Sequence, residues 1–442
     1  MPRKLVYLLL ALSFIGYLIT GFYLERENFP LLISLFGSLF IIYFFLLQYK
    51  DQISLRTGIL AGLAFRCSLL LSFPNLSDDV FRFLWDGRLQ ELGINPFDFT
   101  PRQIIGQSTD RFFNELYPHL NSPDYYSVYP QLLQYLFLLA TKLGGQSLLG
   151  GAIVLKAIII LFECGSIWLL IRLLELKHLD KRNAFIYLFN PLVVIELTGN
   201  VHFEALMIFF VLLTAWLLLK KHSSIAAAAL SLAVHVKLIP LIAIPLLFKK
   251  IGFWRTVSFG AICLLLVVIS SPLLWGEPKR LFNILSSLQL YYGKFEFNGS
   301  IYSVLRGGGW WLLGYNPIWW LSKIMMVSTI VAFVAIYQRN LDFIKGFFWL
   351  MIAYLFFSAI VHPWYLGILV ALSPFLPCRF ALIWTALIPL TYQTYAVEPY
   401  QQNYVLIGVE YAAVAAYLVY ERRNNYKLLW PAASKTQLSN HV

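Results

Sequence analysis

SDDVFRFLWDGRLQELGINPFDFTP, residues 77–101, stands between stretches of chain that are almost entirely apolar. Its first dozen residues hold three carboxylates and two guanidinium groups, at Asp78, Asp79, Arg82, Asp86 and Arg88. Charged side chains beside long apolar segments are costly, and by default they mark function. What this cluster can do depends on the kind of protein that surrounds it.

The composition is that of a membrane protein. Of the 442 residues, 59% are hydrophobic and only 13% are charged, with a mean hydropathy of +0.70. A soluble protein carries about 25% charged residues. Apolar runs long enough to cross ~30 Å of hydrocarbon recur along the chain, and they do not alternate as the strands of a membrane barrel do. The sequence therefore predicts an all-α polytopic membrane protein, with residues 1–442 in one domain.

The sequence predicts about 13 transmembrane segments. They are drawn from the apolar stretches at 5–24, 30–48, 57–73, 129–143, 147–172, 184–199, 201–219, 224–247, 256–275, 317–337, 346–361, 364–377, 380–396 and 404–420. The first stretch follows basic residues, as in a signal peptide. It is too long for that and lacks a small-residue cleavage site, so we expect a retained helix.

The net charge of +12 comes from short basic clusters between the apolar runs. This is the positive-inside pattern, which reports orientation and not a nucleic-acid partner. The clusters expected in the cytoplasm lie at 3–4, 50–56, 177–182, 220–221, 249–255, 339–345 and 422–427. Alternation then places the two long polar stretches, 74–128 and 276–316, on the opposite side as extracytoplasmic loops.

Two stretches do not fit a simple count of crossings. Residues 129–176 must cross an odd number of times, either once or three times. Residues 224–247 must begin and end on the cytoplasmic side, and the sequence HVKLIP interrupts them. Two short half-helices, with Lys237 near the outer tip, would reconcile that segment with its flanking charges.

The unusual polar residues all fall on the predicted outer side. They are Asp78, Asp79, Asn200, His202, Lys237, Asn298 and His362. Each of these residues is costly beside a membrane. Their common position on one side of the membrane is therefore stronger evidence for a site than any one of them alone.

Asp78 and Asp79 allow two interpretations. Adjacent carboxylates repel, so one of them should have a raised pKa unless Arg82 or Arg88 neutralises it. In a helix, Asp78 and Arg82 would be four residues apart and face the same way. Alternatively, the aspartates only begin a helix as an N-cap, and the arginines form surface pairs.

Lys237 lies among Ala, Leu, Ile and Val residues, where a lysine needs an anionic partner. A phosphate would serve, and the alternative is a lysine that snorkels to the interface. GINPFDF, with Asn95, and SVYPQ, with Tyr129, suggest turns at helix ends. In HPWYL, Trp364 alone would be an ordinary interfacial aromatic residue.

The residues indicate no metal or cofactor. The four cysteines, Cys67, Cys164, Cys263 and Cys378, stand alone and lack the spacing of a disulfide framework or a zinc site. His202 and Glu204 are two residues apart, and such positions diverge on a helix. We therefore favour a buried, hydrogen-bonding histidine over a metal ligand.

Five motifs occur in order within residues 77–366: SDDVFRFLWDGR with GINPF, then VYPQ, NPL with GNVHFEAL, VKLIP and HPWYL. In these motifs the chain resembles the bacterial GT-C fold glycosyltransferases, especially the polyprenyl-phosphate-mannose-dependent mannosyltransferases. It more distantly resembles the catalytic subunit of the eukaryotic GPI mannosyltransferase I. The sequence departs from the pattern at Gln131, where relatives often have a second proline, and this leaves the role of that turn open.

The resemblance implies a GT-C enzyme in the cell membrane, the inner membrane in a bacterium, without metal or cofactor. It would move a sugar, mannose above all, from a polyprenyl-phosphate donor to a lipid-linked or glycan acceptor, with inversion. Asp78 or Asp79 would be the base, and we favour Asp78 because it lies nearest the end of the span and four residues before Arg82. The implied substrate-binding residues are Arg82, Trp85, Asp86, Arg88, Asn95, Tyr129, Asn200, His202, Glu204, Lys237, Asn298, His362 and Trp364.

Two alternatives remain at this stage. A GT-C transferase that uses another lipid-linked sugar or another acceptor would share the outer loop. A transporter or flippase of lipid-linked sugars would carry symmetry-related repeats and charged residues at the midplane. The sequence shows no such repeat.

Overall fold

The computed structural model describes residues 3–293, 295–397 and 399–424. Within these ranges the regular secondary structure is helical, and extended pairing is limited to isolated bridges from Phe297 and Asn298 to Ile360. The predicted all-α class is thus confirmed. The last basic cluster, at 422–427, lies partly outside the described residues.

The α-helices follow one another along the chain with short connections. They are α1 Arg3–Tyr23, α2 Phe29–Gln48, α3 Leu55–Cys67, α4 Asp79–Glu91, α5 Pro101–Ile105, α6 Arg111–Leu116, α7 Gln131–Gly144, α8 Leu148–Leu176, α9 Phe185–Leu188, α10 Glu204–Leu219, α11 Ser223–Val236, α12 Phe248–Ile251, α13 Phe253–Ile269, α14 Pro278–Gly293, α15 Ser300–Leu313, α16 Ile318–Gln338, α17 Phe343–Phe356, α18 Gly367–Leu372, α19 Phe380–Leu387 and α20 Tyr404–Arg423. Short 3-10 helices, notably Ile239–Leu247, Pro363–Leu366 and Ile388–Tyr395, and a π-helix, Val193–Gly199, join several of them.

Five helices in the described part of the chain are long and apolar enough to cross a membrane: α1, α2, α8, α16 and α20. A sixth crossing is possible if the π-helix Val193–Gly199 and α10 form one bent span. The chain is therefore a multi-pass membrane protein. The count of about 13 segments stays a prediction, because many predicted segments fold into shorter or broken helices.

The stretch 129–176 resolves into two unequal helices. α8 has 29 residues, about 43 Å at 1.5 Å per residue, and is long enough to span a bilayer. α7 has 14 residues and packs against α4 of the outer loop as well as against α8. These lengths favour one crossing over three.

The predicted break at Lys237 is present. α11 ends at Val236 because Lys237 is extended, with φ −157° and ψ 139°, and Pro240 follows. A proline has no amide hydrogen to continue an α-helix, and the chain resumes as the 3-10 helix Ile239–Leu247, which contains Pro245. The side of the membrane that this break faces stays a prediction.

The stretch 74–128, which the sequence predicts to be an extracytoplasmic loop and which is called the outer loop below, packs through aromatic side chains. The ring of Phe83 on α4 stacks on Phe137 of α7 at 4.7 Å and contacts Phe203 edge-on at 5.2 Å. Phe203 directly precedes α10. These rings therefore fix the outer loop against the bend between the π-helix and α10.

That bend turns the chain by 111° within residues 199–204. Val201 adopts φ +60°, a strained conformation for a β-branched residue. π-helices and strained backbone concentrate at functional sites. The bend brings the buried Asn200, His202 and Glu204 to one place.

A lysine anchors the chain that leads to the outer loop. Lys156 of α8 is fully buried and donates hydrogen bonds to the carbonyl oxygens of Leu69, at 2.9 Å, and Ser72, at 2.6 Å. These carbonyls follow the end of α3, where backbone acceptors lack helical partners. The bonds hold the turn that precedes Asp78.

Candidate active site

Asp78 and Asp79 lie at the start of α4 but make different contacts. Asp78 occupies the N-cap position without a side-chain capping bond. Its Oδ2 instead accepts a hydrogen bond of 2.8 Å from Nη1 of Arg26, whose guanidinium lies 4.4 Å from the centre of the Tyr395 ring. The expected contact of Asp78 with Arg82 is wrong, because Arg82 pairs with Asp86 at 2.9 Å.

Sequence reasoning missed Arg26. It lies in the short connection between α1 and α2, and the predicted alternation of segments, when it is applied to this connection as well, puts it on the same side as Asp78. That agreement in side was the available signal. The 52 residues between the two partners left no local pattern that would join them.

Asp79 is half-buried and has no ion-pair partner among the described lysines and arginines. Its Oδ1 accepts a long hydrogen bond of 3.5 Å from Nδ2 of Asn121. Burial raises the pKa of Asp79 above its ordinary value, while His202 and the bond from Asn121 act in the opposite direction. Asp78 also raises this pKa, by less than burial does, so the raised value comes mainly from desolvation and not from the expected repulsion.

Glu196 organises the bend. It accepts hydrogen bonds from Asn200 Nδ2 at 3.4 Å and from the hydroxyl of Tyr392 at 2.6 Å. Nδ1 of His202 lies 2.8 Å from the backbone oxygen of Glu196 and 3.4 Å from its Oε2. Asn200 Oδ1 in turn accepts from the amide of Leu76 at 3.2 Å, which ties the bend to the chain just before Asp78.

Lys237 finds its anionic partner within the protein. Its Nζ lies 2.6 Å from Oε1 of Glu204, the first residue of α10, and 3.5 Å from the centre of the Tyr365 ring. The sequence suggested a phosphate as an anionic partner, and the carboxylate of Glu204 already supplies one within the protein. The contacts with this carboxylate and with the Tyr365 ring hold the ammonium group in place, which does not favour the snorkelling alternative.

Three aromatic residues continue from His202 in a stack. The ring of His202 lies 3.8 Å from Trp364, Trp364 lies 4.4 Å from His362, and His362 lies 4.5 Å from Phe297. His202 Nε2 and His362 Nδ1 are buried and have no hydrogen-bond partner within the described ranges. Buried polar atoms are normally satisfied, so these nitrogens are available to a bound molecule. Trp364 is therefore part of this aromatic stack and not only an interfacial residue.

Asn298 supports this stack from the backbone. It adopts φ +52° beside Phe297, and its amide donates to Gln402 Oε1 at 2.8 Å. Its side-chain Nδ2 donates to the buried Glu410 at 3.1 Å. Asn298, a predicted site residue, thus lies beside the aromatic stack, where it connects Phe297 to α20.

Asp79, His202, Glu204, Lys237 and His362 form one electrostatic cluster, defined here as the acidic-histidine cluster. Asp79 lies close enough to His202 and Glu204 for their charges to act on it. Lys237 and His202 act in the same way on His362. The structure therefore brings together the residues that the sequence had placed on one side.

Four other predicted site residues lie in the scaffold of the outer loop. Trp85 is fully buried against Phe113, with ring centres 4.4 Å apart. Arg88 pairs with Asp110 at 2.7 Å and with Glu91 at 2.9 Å. None of these contacts reaches the acidic-histidine cluster, so neither residue is placed to bind a substrate there.

Asp86 and Asn95 are likewise committed to the scaffold. Asp86 is fully buried and accepts hydrogen bonds from Arg82, Ser127 and Gln134. Asn95 Nδ2 donates to the backbone oxygen of Leu273 at 2.7 Å. Gln131, at the departure from the family pattern, makes a similar tie, since its Oε1 accepts from the amide of Leu273 at 3.1 Å.

An open depression with about 370 Å³ of empty space lies beside Asp79. Its wall is the segment 121–129, and Ser287 of α14 completes it. Tyr129, a predicted site residue, lines this depression. Sequence reasoning missed the other wall residues, which carry no motif beyond a local run of polar and aromatic side chains: Asn121, Ser122, Tyr125 and Tyr126.

Within the described ranges, no three or more His, Cys, Asp or Glu side chains are grouped to hold a metal ion. A half-buried carboxylate with a raised pKa can accept a proton, and a lysine can contact an anion. Nδ1 of His202 faces the carbonyl oxygen of Glu196, so its Nε2 donates to an anion only when the ring carries a second proton.

Comparison of the sequence with known proteins identifies the family of the chain. No curated protein matches this chain. A family model described as the N-terminal domain of alpha-(1->6)-mannopyranosyltransferases matches residues 21–251, more than half of the chain. The matched range contains α4 with both aspartates, the bend at 199–204 and Lys237, whereas Asn298, His362 and Trp364 lie beyond it. The chain therefore belongs to the alpha-(1->6)-mannopyranosyltransferase family and is a glycosyltransferase of the mannosyl-transferring kind.

Proposed function

We propose that the protein moves mannose from a polyprenyl-phosphate donor to a hydroxyl group of a membrane-linked glycan or glycolipid. Transfer occurs with inversion on the extracytoplasmic face of the cell membrane. One observation carries the proposal: Asp79, a half-buried carboxylate with no lysine or arginine partner among the described residues, belongs to the acidic-histidine cluster and also lines an open depression.

Asp79 is the base in this mechanism. Its carboxylate takes the proton of the acceptor hydroxyl as the oxygen attacks C1 of mannose from the face opposite the phosphate. The bond from C1 to the phosphate oxygen breaks, and its electron pair leaves with the polyprenyl phosphate. This leaving group departs as an anion and needs no general acid, so one carboxylate suffices. Asp78 is less suited, because Arg26 holds it in an ion pair at 2.8 Å.

The acidic-histidine cluster is suited to the phosphate of the donor. Lys237 offers an ammonium group already oriented by Glu204 and Tyr365, and His202 Nε2 and His362 Nδ1 are unpartnered among the described residues. Oriented positive charge at a departing phosphate lowers the barrier, because the donors need no rearrangement during the reaction. Arg82 and Arg88 take no part, since their guanidinium groups serve the outer loop.

The membrane location follows from the donor. A long isoprenoid tail must stay in the bilayer while its head group reaches a polar site at the surface. The bend at 199–204 and the break at Lys237 supply such a site at the ends of short helices, where irregular backbone lines a cavity. We assign the whole chain to one GT-C domain with about 13 crossings.

Purified protein in lipid vesicles tests the proposal. Radiolabelled polyprenyl-phosphate mannose, polyprenyl-phosphate glucose and a nucleotide-linked mannose are supplied separately with lipid extracts as acceptor. Label should pass from the polyprenyl-phosphate mannose to a glycolipid with an α-linkage opposite in configuration to the β-linked donor. Transfer from the nucleotide sugar alone would contradict the lipid donor, and faster transfer of glucose would support the alternative of another lipid-linked sugar.

A further inference from the structure

We infer that the depression walled by residues 121–129 is the acceptor subsite and that it takes an uncharged carbohydrate ring. The inference rests on the proposed transfer reaction and adds the place and the chemical class of its second substrate. Three features of the depression carry it: its position relative to Asp79, the chemistry of its wall and the way in which that wall is held.

The depression and the acidic-histidine cluster meet at Asp79. Asp79 lines the depression and also interacts with His202 and Glu204 of the cluster. The other wall residues belong to α4, the segment 121–129 and Ser287, and none comes from the bend or from Lys237. In an inverting transfer the acceptor hydroxyl lies beside the base and attacks the reacting carbon from the face opposite the leaving phosphate. If the donor phosphate lies at Lys237, the acceptor hydroxyl approaches from the depression.

The wall has the chemistry of a site for a neutral polyol. Asn121 supplies an amide, Ser122 a hydroxyl, and Tyr125, Tyr126 and Tyr129 supply half-buried phenols. Amides and hydroxyls both donate and accept hydrogen bonds, and aromatic faces pack on apolar ring surfaces. The carboxylate of Asp79 would repel an anionic ligand, so a phosphate or a sugar acid is disfavoured.

Arg82 does not make the depression an anion site. Its Nε donates to Asp86 at 2.9 Å, and its Nη1 donates to the backbone oxygen of Tyr125 at 3.0 Å and to that of Ser122 at 3.3 Å. The guanidinium charge is balanced by a fully buried carboxylate. Arg82 is therefore a positioning residue, which holds the wall through its backbone.

The wall is also fixed from its other side. Ser287 Oγ of α14 accepts a hydrogen bond of 2.9 Å from the amide of Tyr126. Ser127 donates to Asp86, which also accepts from Gln134 of α7 at 2.9 Å. A site held by such supports is preorganised and loses little entropy when a ligand binds.

The kinetic test uses Tyr126→Ala and Asn121→Ala in purified protein, with octyl α-mannoside as acceptor and labelled polyprenyl-phosphate mannose as donor. The matched control is Asn114→Ala, an exposed asparagine of the same outer loop whose side chain bonds only to the backbone of Asp110. Each wall variant should raise the KM for the acceptor about tenfold, the loss expected for about one hydrogen bond or ring contact. The donor KM should stay unchanged in both wall variants, and Asn114→Ala should leave both KM values and the slow release of mannose to water unchanged. A raised donor KM with an unchanged acceptor KM would overturn the inference and leave the proposed function intact.

A binding test separates the inference from the reaction. Cysteine is placed at position 121 or, as control, at position 114, in a chain whose four native cysteines are replaced by alanine, and labelled with a membrane-impermeant maleimide. Octyl α-mannoside should protect Asn121→Cys and leave Asn114→Cys unprotected. Protection without any transfer from the lipid donor would support the subsite while contradicting the proposed function. Equal labelling with and without the mannoside would overturn the subsite.

Discussion

Nη1 of Arg26 lies 2.8 Å from Oδ2 of Asp78, and among the described residues no lysine or arginine makes a comparable contact with Asp79. This ion pair gives two neighbouring aspartates, which the sequence alone does not distinguish, different surroundings. Asp78 is neutralised and anchors the connection between α1 and α2 to the outer loop. Asp79 keeps its basicity and faces the depression.

The two aspartates should therefore respond differently to the same substitution. Asp79→Asn removes the base but keeps the size of the side chain, so kcat should fall by about 10²–10⁴-fold. Asp78→Asn should change kcat by only a few fold, because its hydrogen bond to Arg26 survives in part. Initial rates of mannose transfer measure both effects. A large loss with Asp78→Asn and near-normal turnover with Asp79→Asn would assign the base to Asp78.

Thermal unfolding provides the control for this comparison. Burial raises the folded-state pKa of Asp79, so the folded protein holds that proton to a higher pH than the unfolded chain does. Ionisation of Asp79 therefore costs stability, which is lost as pH rises from the unfolded to the folded pKa. Asp79→Asn should be at least as stable as the wild type at neutral pH, and a strongly destabilised variant would make its low activity a folding defect.

The pH profile tests the same carboxylate without removing it. Asp79 acts in its ionised form and has a pKa above its ordinary value, so kcat should fall at acid pH above the range of an exposed aspartate. The Asn121 hydrogen bond lowers this pKa, and Asn121→Leu should move the acid limb to higher pH. Asn114→Leu is the control and should leave the limb in place. The profile is measured at saturating acceptor, and a shift to lower pH would contradict the assignment.

The sides of the membrane are tested by labelling single cysteines in intact cells. Gln107→Cys in the outer loop should react with an impermeant maleimide from outside. Leu179→Cys, in the basic connection after α8, should react only after permeabilisation. The reverse pattern would place Asp79 in the cytoplasm, where nucleotide sugars are present, and would remove the reason for a lipid donor.

Arg82 should affect the acceptor and not the donor. Arg82→Gln keeps a hydrogen-bond donor but removes the charge that pairs with the buried Asp86. The segment 121–129 would loosen, so the KM for octyl α-mannoside should rise at least several fold while the donor KM stays constant. The double variant Arg82→Met with Asp86→Leu removes both charges and should recover stability without recovering acceptor affinity. A raised donor KM would return Arg82 to the role of a phosphate ligand.

The sequence predicted which residues gather at the site, but it did not predict the pairs within the site. Positive-inside counting placed Asp79, His202, Lys237 and His362 together, because it depends only on where basic clusters lie along the chain. The partner of Asp78 is 52 residues away, and that of Lys237 is 33 residues away. Such contacts are decided by tertiary packing and leave no local pattern.

The family motifs contain both residues that face the depression and residues that hold the outer loop together. Trp85, Asp86 and Arg88 belong to the same short block as Asp79, yet their side chains hold the outer loop together. On a helix that packs on most of its faces, neighbours in sequence point into different surroundings. Only the structure separates the residue that faces the depression from those that support it.

The number of crossings was hard to predict for a related reason. Hydropathy identifies apolar segments but not the breaks within them. The segment 184–199 becomes α9 and a π-helix, and 224–247 divides at Lys237. Those breaks require buried partners for the freed backbone and side chains, and Glu196 and Glu204 provide some of them.

Lys237 and Glu204 permit the sharpest test of the phosphate site. Lys237→Met leaves the carboxylate of Glu204, which is largely buried, without its partner at 2.6 Å, so it should reduce the free energy of unfolding by ~1–3 kcal/mol. The double variant Lys237→Met with Glu204→Gln removes both charges and should regain most of the stability. If Lys237 also binds the donor phosphate, the double variant will still show a raised donor KM and a reduced kcat, because a methionine cannot stabilise the leaving anion. Lys237→Arg should keep part of the activity, since the charge remains while its geometry changes. Full activity in the stable double variant would make the pair purely structural and would leave His202 and His362 as the groups that contact the phosphate.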